Sequence, residues 1–396
     1  MSIIFWLSLF IVFYTFAGYG IFLYFLIKVK RYLKEKTVTT YAEYGTLPAC
    51  TLVVAAYNEE LFISQKIANC LQLKYPEGKL KLLFITDGSS DKTSDIISQY
   101  PQIQLLHQPE RAGKIAAVHR AMTYVDTEIV VFTDANTFLN PDAIICICRH
   151  YNDKSVGAVA GEKRVQIDEN ADASAAGEGF YWKYESALKK WDSELYSVVG
   201  AAGELFSVRR SLYQDVPADT ILDDFMISML IAEKGYRIVY EPEAYAIETA
   251  SENVSEELKR KIRIAAGGMQ SILRLKSLFN PFKNPVLSFQ YISHRVLRWT
   301  VTPFLLILVL ILNVFLAVEA GAVFYQLVLV AQIFFYLLAI LGFIMEKRQI
   351  RIKVLFIPYY FCVMNYAVLM GIIRYFSKKQ SSIWEKALRK QEALIS

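Results

Sequence analysis

Long apolar runs alternate with a mixed polar region along the chain. Residues 3–27 contain no charged side chain and are long enough to cross a bilayer, which takes about 20 apolar residues. Two more apolar runs, 301–318 and 322–345, are separated by a short polar turn and predict a membrane hairpin. The last run, 354–373, contains a proline and an asparagine, and it fits either a crossing helix or a segment lying in the membrane plane.

Basic residues orient these runs. Lysines and arginines follow the first run at once, so the positive-inside rule predicts an external N-terminus and a cytoplasmic domain. A fourth crossing would put the basic tail outside, against the same rule, and we therefore favour a cytoplasmic tail. The segments expected are a membrane helix (1–28), a basic linker (29–46), a soluble domain (47–250), interface helices (251–300), a membrane region (301–376) and a basic tail (377–396).

Strand and helix patterns alternate in the soluble region. Six short apolar, mostly β-branched runs predict strands, at 51–55, 80–86, 103–106, 129–134, 156–160 and 237–240. This alternation predicts an α/β fold with a mostly parallel, doubly wound sheet. The aromatic-rich stretch 178–196 fits either a packing face or a wall for stacking sugars, and the basic amphipathic stretch 255–275 fits a membrane surface.

Composition agrees with a membrane protein and narrows its functions. The 396 residues are 54% hydrophobic and 20% charged, with a mean hydropathy of +0.29. The net charge of +5 does not by itself indicate a nucleic-acid partner. The five cysteines lack the paired spacing of zinc sites and predict reduced, mostly buried thiols. The membrane runs carry almost no charge, so transport as the main function has little support.

Acidic residues stand where the predicted strands end or helices begin. They are Glu59, Asp87 with Asp91, Asp134, and the pair Asp223 and Asp224. Each alone fits a helix cap or a turn, but the carboxyl ends of parallel strands share one edge of a sheet, where ligands bind. Together they therefore predict a nucleotide and metal site with a catalytic base. Asp134 and the nearby Asn136 would offer hard oxygen ligands to Mg²⁺ or Mn²⁺ already carrying phosphate oxygens.

The order of these motifs resembles family 2 glycosyltransferases, which have a GT-A fold. The segments that carry the resemblance are 55–60, 87–91, 113–114, 133–136, 200–210, 221–224 and 260–270. The resemblance covers about residues 48–300, and the membrane layout is similar to that of cellulose, hyaluronan and poly-N-acetylglucosamine synthases. It implies a GT-A domain in the cytoplasm, flanked by transmembrane helices.

The resemblance also implies roles for the matched residues. The residues expected to bind the nucleotide-sugar are Ala56, Tyr57, Glu59, Asp87, Lys114, Asp134 and Arg263. Those expected to bind the acceptor are Gly200, Gly203, Glu204 and Trp299. Asp134 would hold the metal, with Asn136 in place of the usual second Asp. Asp224, preceded by Asp223, would be the catalytic base.

One motif departs from the family pattern. The family's Gln-x-x-Arg-Trp motif keeps only Arg263, because Arg260 replaces the Gln and Ile264 replaces the Trp. That Trp stacks beneath the acceptor sugar in the synthases, so processive synthesis is open here. Trp299 could substitute for it, although an aromatic residue at this place is also typical of a membrane-interface anchor.

Three functions remain open from the sequence. The preferred one is an inverting β-glycosyltransferase of the bacterial inner (plasma) membrane that transfers a sugar from a UDP-sugar to a growing polysaccharide. The second is single addition of a sugar to a lipid-linked acceptor. The third is a non-catalytic membrane scaffold that binds a nucleotide-sugar, which would not need both Asp134 and Asp224. Expected partners are membrane lipid and a translocation subunit, with no nucleic acid.

Overall fold

The computed structural model describes residues 1–33, 46–166, 173–249, 254–319, 321–348, 350 and 352–378. Most of the expected basic linker and nearly all of the basic tail lie outside these residues. The described part combines one sheet-centred domain with a set of apolar helices. The cysteines are free thiols, as expected, and four of the five are buried.

An eight-stranded sheet forms the centre of the domain, in the order β3-β2-β1-β4-β7-β6-β8-β5. The strands are β1 Cys50–Ala56, β2 Leu80–Asp87, β3 Ile103–Gln108, β4 Ile129–Asp134, β5 Thr137–Leu139, β6 Val156–Gln166, β7 Leu205–Arg209 and β8 Arg237–Thr249. The first four pair in parallel, while β7 runs antiparallel to both β4 and β6. The expected α/β fold with a mostly parallel sheet is confirmed.

Helices cover both faces of this sheet. They are α3 Glu60–Leu71, α4 Thr93–Ser98, α5 Lys114–Tyr124, α6 Ala143–Cys148, α7 Ala173–Leu195 and α8 Asp223–Glu233. Their apolar sides make two separate cores, because successive strand residues point to opposite faces of the sheet. In β1, Val53 belongs to the core with α5 and α8, and Val54 to the core with α3 and α6. Two buried faces explain why these strands read as continuous apolar runs.

The remaining helices form two groups. Some are long and apolar, and the others lie between these apolar helices and the domain. They are α1 Ser2–Phe13, α2 Tyr19–Leu33, α9 Val254–Arg274, α10 Pro285–Tyr291, α11 Leu297–Trp299, α12 Val301–Glu319, α13 Val323–Lys347 and α14 Lys353–Phe376. A π-helical turn, Tyr14–Gly18, joins α1 to α2. Within the described residues, four helical segments are long and apolar enough to cross a membrane: Ser2–Leu33, Val301–Glu319, Val323–Lys347 and Val354–Phe376.

A buried polar network fixes α2, in the first of the apolar helical segments, to the domain. Asp192 of α7 is fully buried and accepts hydrogen bonds from the Tyr19 hydroxyl of α2 and the Gln290 side chain. The His294 ring lies 2.6 Å from the other Asp192 oxygen. Buried charges persist only when paired and hydrogen-bonded, so this network ties three elements into one arrangement.

Close backbone contacts place α14 against the domain. A Cβ atom added at Gly342, near the end of α13, would lie 2.5 Å from the Leu355 carbonyl oxygen at the start of α14. One added at Gly371, near the end of α14, would lie 2.5 Å from the Cβ of Ala265 in α9. The start of α14 therefore packs against the end of α13, and its end packs against α9.

Candidate active site

The candidate site is a cavity at the carboxyl ends of β1 and β4. Its lining residues are Val53, Ala55, Lys114, Val118, Phe132, Thr133, Asp134, Gly203, Phe206, Asp223 and Ile227. The polar members come from the end of β4, the start of α5, the loop before β7 and the start of α8. Sequence positions more than 100 residues apart thus meet at one edge of the sheet, where open α/β sheets bind ligands.

Lys114 lies at the centre of the acidic groups. Its Nζ is 2.8 Å from Asp134 Oδ1 and 3.8 Å from Asp223 Oδ2. Burial alone would lower the pKa of Lys114, but the charges of Asp134 and Asp223 outweigh burial and raise it. The ammonium is therefore protonated at neutral pH and stands beside both carboxylates. The site is built to hold positive charge at this place.

Asp224 has the properties of a base near neutral pH. The pKa of Asp224 is raised to about 7. Burial is the main cause and the adjacent charge of Asp223 is the second, while the charge of Lys114 acts in the opposite direction. One of its oxygens accepts the Phe225 backbone N–H at 2.8 Å. A general base works best when its pKa lies near the working pH, and this carboxyl meets that condition.

Arg263 belongs to the same electrostatic cluster. It lies on α9, and burial lowers its pKa while the charges of Asp223 and Asp224 act in the opposite direction. The charge of Asp134 acts on it as well. The structure thus brings one arginine and one lysine to three of the predicted carboxylates.

Two glycines bring the loop before β7 close to the start of α8. Gly200 has φ +83°, and a Cβ there would lie 2.1 Å from the Phe225 ring, so only glycine fits. A Cβ at Gly203 would come within 3.3 Å of Asp224 Oδ2 and 3.6 Å of Lys114 Nζ. The predicted acceptor loop therefore passes directly beside the candidate base.

The loop after β3 closes the other side of the site. Asp87 Oδ2 accepts the backbone N–H groups of Ala112 and Gly113 at 3.0 and 2.6 Å. Asp87 Oδ1 is buried and has no hydrogen-bond partner among the residues that the structure describes. The Arg111 guanidinium lies 3.8 Å from the centre of the Tyr57 ring, at cation–π distance. A carboxylate oxygen and an aromatic–cation pair thus stand near the ends of β1 and β2.

Glu59 occupies the entry to α3. It is the residue before that helix, is 7% exposed, and its backbone N–H donates to the Thr93 hydroxyl at 2.8 Å. Asp91 binds the same hydroxyl and also accepts the Glu60 backbone N–H. The sequence left open whether Asp91 caps a helix, and the structure gives it this capping contact.

Two predicted acceptor residues lie farther from the cavity. The Glu204 carboxylate pairs with the buried Lys163 ammonium at 2.6 Å. Burial acts to raise the pKa of Glu204, but the charge of Lys163 opposes burial and the pKa is lowered. The Trp299 ring packs on Phe225 at 5.4 Å between centroids, and a Cβ at Gly268 would lie 2.5 Å from it. Trp299 therefore lies behind Phe225, the residue after the candidate base Asp224, and is not among the cavity-lining residues.

The side-chain oxygens of Asp134 and Asn136 fit a divalent cation that is also bound by phosphate. Asp134 supplies a carboxylate next to the Lys114 ammonium, and Asn136, two residues later, is 9% exposed. No cluster of three or more His, Cys, Asp or Glu side chains suited to a metal occurs among the described residues. Mg²⁺ commonly binds one or two protein carboxylates together with substrate phosphates, so a small protein donor set suffices.

Sequence reasoning left some site residues out of the predicted set. Asn58 has φ +52°, and its side chain binds the Ser90 backbone N–H at 2.8 Å, which holds the two loops after β1 and β2 together. Its signal was an asparagine in a turn after a strand. Thr133 and Lys66 lie under the Asp134 turn, and no local pattern distinguishes them from ordinary strand and helix residues.

Comparison with known protein families places this site in a known context. The model for Glycosyl transferase family 2 matches residues 51–216, which include the ends of β1, β2 and β4 and the predicted acceptor loop. A poly-beta-1,6-N-acetyl-D-glucosamine synthase of Staphylococcus aureus is 28% identical over 265 residues, or 64% of this chain and 62% of that protein. A synthase of the same name from Staphylococcus epidermidis is 26% identical over the same coverage. The match thus spans less than two thirds of these relatives' length.

The fold agrees with that of a solved structure. A mannosyltransferase from Pyrobaculum calidifontis, in complex with GDP-Man and Mn²⁺, superposes with a TM-score of 0.70 and 22% identity. The superposition covers 95% of this chain and 100% of that one, so it includes the apolar helices as well as the sheet. The expected GT-A fold with flanking apolar helices is confirmed.

Proposed function

We propose that the protein is a membrane-embedded inverting β-glycosyltransferase, on the premise that residues 51–216 match the model for Glycosyl transferase family 2. It transfers a sugar from a UDP-sugar to the end of a growing polysaccharide. The polymer named in the staphylococcal relatives makes nucleotide-activated N-acetylglucosamine the first donor to test.

The observation that carries this proposal is the carboxyl of Asp224 beside the acceptor loop. A scaffold that only binds a nucleotide-sugar needs no base, yet this carboxyl has a pKa of about 7 and lies against Gly203 and near Lys114. Desolvation and a like charge are the two means by which enzymes bring a carboxyl to this range.

Asp224 is the base of the proposed reaction. Its carboxylate takes the proton of the acceptor hydroxyl while that oxygen bonds to the anomeric carbon of the donor. The bond from the anomeric carbon to the diphosphate oxygen breaks, and the diphosphate leaves with the electron pair. Attack from the face opposite the leaving group inverts the anomeric carbon, so an α-linked donor gives a β-linkage without a covalent enzyme intermediate.

Basic groups stabilise the leaving diphosphate in this proposal. Lys114 and Arg263 face the negative charge that grows as the bond breaks. Asp134 and Asn136 would hold a Mg²⁺ or Mn²⁺ ion, which when bound supplies further positive charge to the diphosphate. On the nucleoside side, Asp87 Oδ1, which has no hydrogen-bond partner among the described residues, accepts an N–H of the uracil ring in this proposal.

The membrane arrangement follows from the contacts of α2 and α14. Arg31 at the end of α2 pairs with Glu194 of the domain at 2.6 Å, and the positive-inside rule puts this end in the cytoplasm. The end of α14 packs against Ala265 of α9, the basic amphipathic helix beside the domain. We therefore propose that α14 lies in the plane of the cytoplasmic surface, with the basic tail also in the cytoplasm. The catalytic domain then faces cytoplasmic nucleotide-sugar.

Single addition to a lipid-linked acceptor is the second candidate. If α14 lies in the plane, three helices remain to cross the membrane, which are few for a channel that guides a polymer. This count favours either a separate translocation subunit or an acceptor that stays anchored in the bilayer. Product length separates the two cases, because a processive enzyme gives a ladder of oligomers and a single-addition enzyme gives one glycolipid.

The test uses the purified full-length protein in lipid nanodiscs. A panel of UDP- and GDP-sugars is supplied with Mn²⁺ or Mg²⁺ and bacterial lipid extract, and release of nucleoside diphosphate is measured. We expect release from one UDP-sugar, dependence on the metal, and loss of release in the Asp224→Asn variant. Release from no donor, or equal release by Asp224→Asn, would refute the proposal. Binding of UDP without turnover of any donor would support the scaffold instead.

A further inference from the structure

Lys66 is a fully buried lysine in the middle of α3. Its exposure is 0%, and it lies between Ile63 and Ile67, which are also fully buried. Lysine is among the residues least often found inside a protein, because an ammonium loses its hydration there. A lysine kept at such a position therefore calls for a reason beyond packing.

The Lys66 ammonium binds the turn that carries the predicted metal ligands. Its Nζ donates to the Thr137 carbonyl oxygen at 2.7 Å and to the Thr133 hydroxyl at 3.1 Å. Thr133 directly precedes Asp134, and Thr137 directly follows Asn136. One cation thus holds both ends of the segment 133–137 from beneath.

The same contacts reach the acceptor loop. The Thr133 hydroxyl donates to the Glu204 backbone carbonyl at 2.9 Å, one residue after Gly203. The Thr137 hydroxyl donates to the Asp134 carbonyl oxygen at 3.0 Å. Lys66 therefore stands at the root of a hydrogen-bonded cluster that joins the donor side of the site to the acceptor side.

The charges around Lys66 point to the same segment. Burial lowers the pKa of Lys66. The nearby Cys70 thiol and the Asp134 carboxylate act in the opposite direction. Lys114 thus binds Asp134 from the cavity, and Lys66 binds Thr133 and Thr137, which flank the segment 134–136.

We propose that Lys66 is a positioning residue that fixes the turn 133–137 and so orients Asp134 and Asn136 for the divalent cation of the donor complex. This inference rests on the proposed function. Lys66 does not touch the cavity and takes no part in the chemical step. Groups that orient metal ligands change metal affinity or activity by about 10–100-fold when they are removed, and we expect this size of effect.

The experiment compares Lys66→Met, which keeps the length and loses the charge, with Thr133→Val, which keeps the shape and loses the shared hydroxyl. Ile67→Ala is the matched control, because it removes packing from the same helix one position away. Affinity for UDP is measured calorimetrically on the full-length protein with and without Mn²⁺, together with the Mn²⁺ concentration for half-maximal turnover and the Tm.

We expect Lys66→Met to bind UDP without metal as the parent does, while Thr133→Val, which changes a cavity-lining residue, is compared only for its metal requirement. Each variant should need about 10–100-fold more Mn²⁺ than the parent to reach the metal-dependent gain in UDP affinity. The double variant should be no worse than the stronger single one, because both act through one cluster. Ile67→Ala should lower the Tm and leave the Mn²⁺ requirement unchanged.

Two outcomes overturn the inference, and they differ from failure of the proposed function. The first is an unchanged Mn²⁺ requirement in Lys66→Met, or in Thr133→Val should the lysine variant not fold. The second is an equal change in Ile67→Ala, which would make Lys66 a packing residue. If the parent itself shows no Mn²⁺-dependent nucleotide binding, the proposed function fails, and the inference fails with it.

Discussion

Replacing Asp224 with asparagine tests the proposed chemistry most directly. The amide keeps the size of the side chain and can still accept the Phe225 N–H, but it cannot take a proton from an acceptor hydroxyl. Because burial disfavours the ionised carboxylate, its removal takes no stabilising charge from the folded state. The variant should therefore have the parent's Tm, or a higher one, at pH 8.

The expected loss of rate follows from the role of a general base. Such a group contributes about 10²–10⁴-fold, which corresponds to about 3–5 kcal/mol of activation free energy. The pKa of about 7 also sets the pH profile of the parent, since the protonated carboxyl is inactive as a base. At pH 6 about one tenth of Asp224 is ionised, so kcat/KM should be about tenfold below its plateau at high pH.

Asp223→Asn is the informative partner variant. The charge of Asp223 helps to raise the pKa of Asp224, so its removal should lower that pKa and extend activity to lower pH. The assay is nucleoside diphosphate release at pH 5.5–8.5 under kcat/KM conditions, with thermal unfolding as the check on folding.

The reasoning is refuted by either of two results. One is a folded Asp224→Asn variant that retains more than about a tenth of parental kcat, since a base should contribute at least 10². The other is an acid limb that stays in place when Asp223 is neutralised. If Asp223→Asn instead loses the larger share of the rate, the base is Asp223.

Further predictions concern the metal ligands, the acceptor loop and the junction with the membrane. Asp134→Ala should abolish transfer while Asn136→Ala only raises the Mn²⁺ requirement, and equal small losses in both would contradict the ligand assignment. Gly200→Ala should lose transfer yet still bind UDP, because its Cβ would lie 2.1 Å from the Phe225 ring; normal transfer would contradict this. Asp192→Ala should lower the free energy of unfolding by about 3–5 kcal/mol, measured by denaturation in detergent, because it breaks a buried charge network; an unchanged midpoint would contradict it.

Local sequence pattern was sufficient for six of the eight strands and for the long apolar helices. The observed β1, β2 and β4 extend the expected runs by two residues at most. Strands buried on both faces and helices exposed to lipid are long apolar runs, and hydrophobicity alone reveals them. The order of acidic motifs was also enough to predict that Lys114, Asp134, Asp223 and Asp224 belong to one site.

Other features depend on contacts between distant segments. The short strand Thr137–Leu139 pairs with the end of β8, about 110 residues away. A strand of only three residues is too short to show a pattern that would predict it. The position of α14 depends on glycines that allow close backbone approach at both of its ends. An apolar run has the same composition whether it crosses the membrane or lies along it, so hydropathy does not separate the two.

The sequence by itself determined the fold class, the long apolar helices and the identity of the acidic groups, because each depends on residue types in local order. Only the tertiary structure decided the neighbours of each group. Asp224 acquires a raised pKa from burial and from Asp223, Trp299 lies behind Phe225, and Lys66 supports the Asp134 turn from the core. Burial, distance and charge pairing are properties of the folded chain, and they arise from residues that the sequence holds far apart.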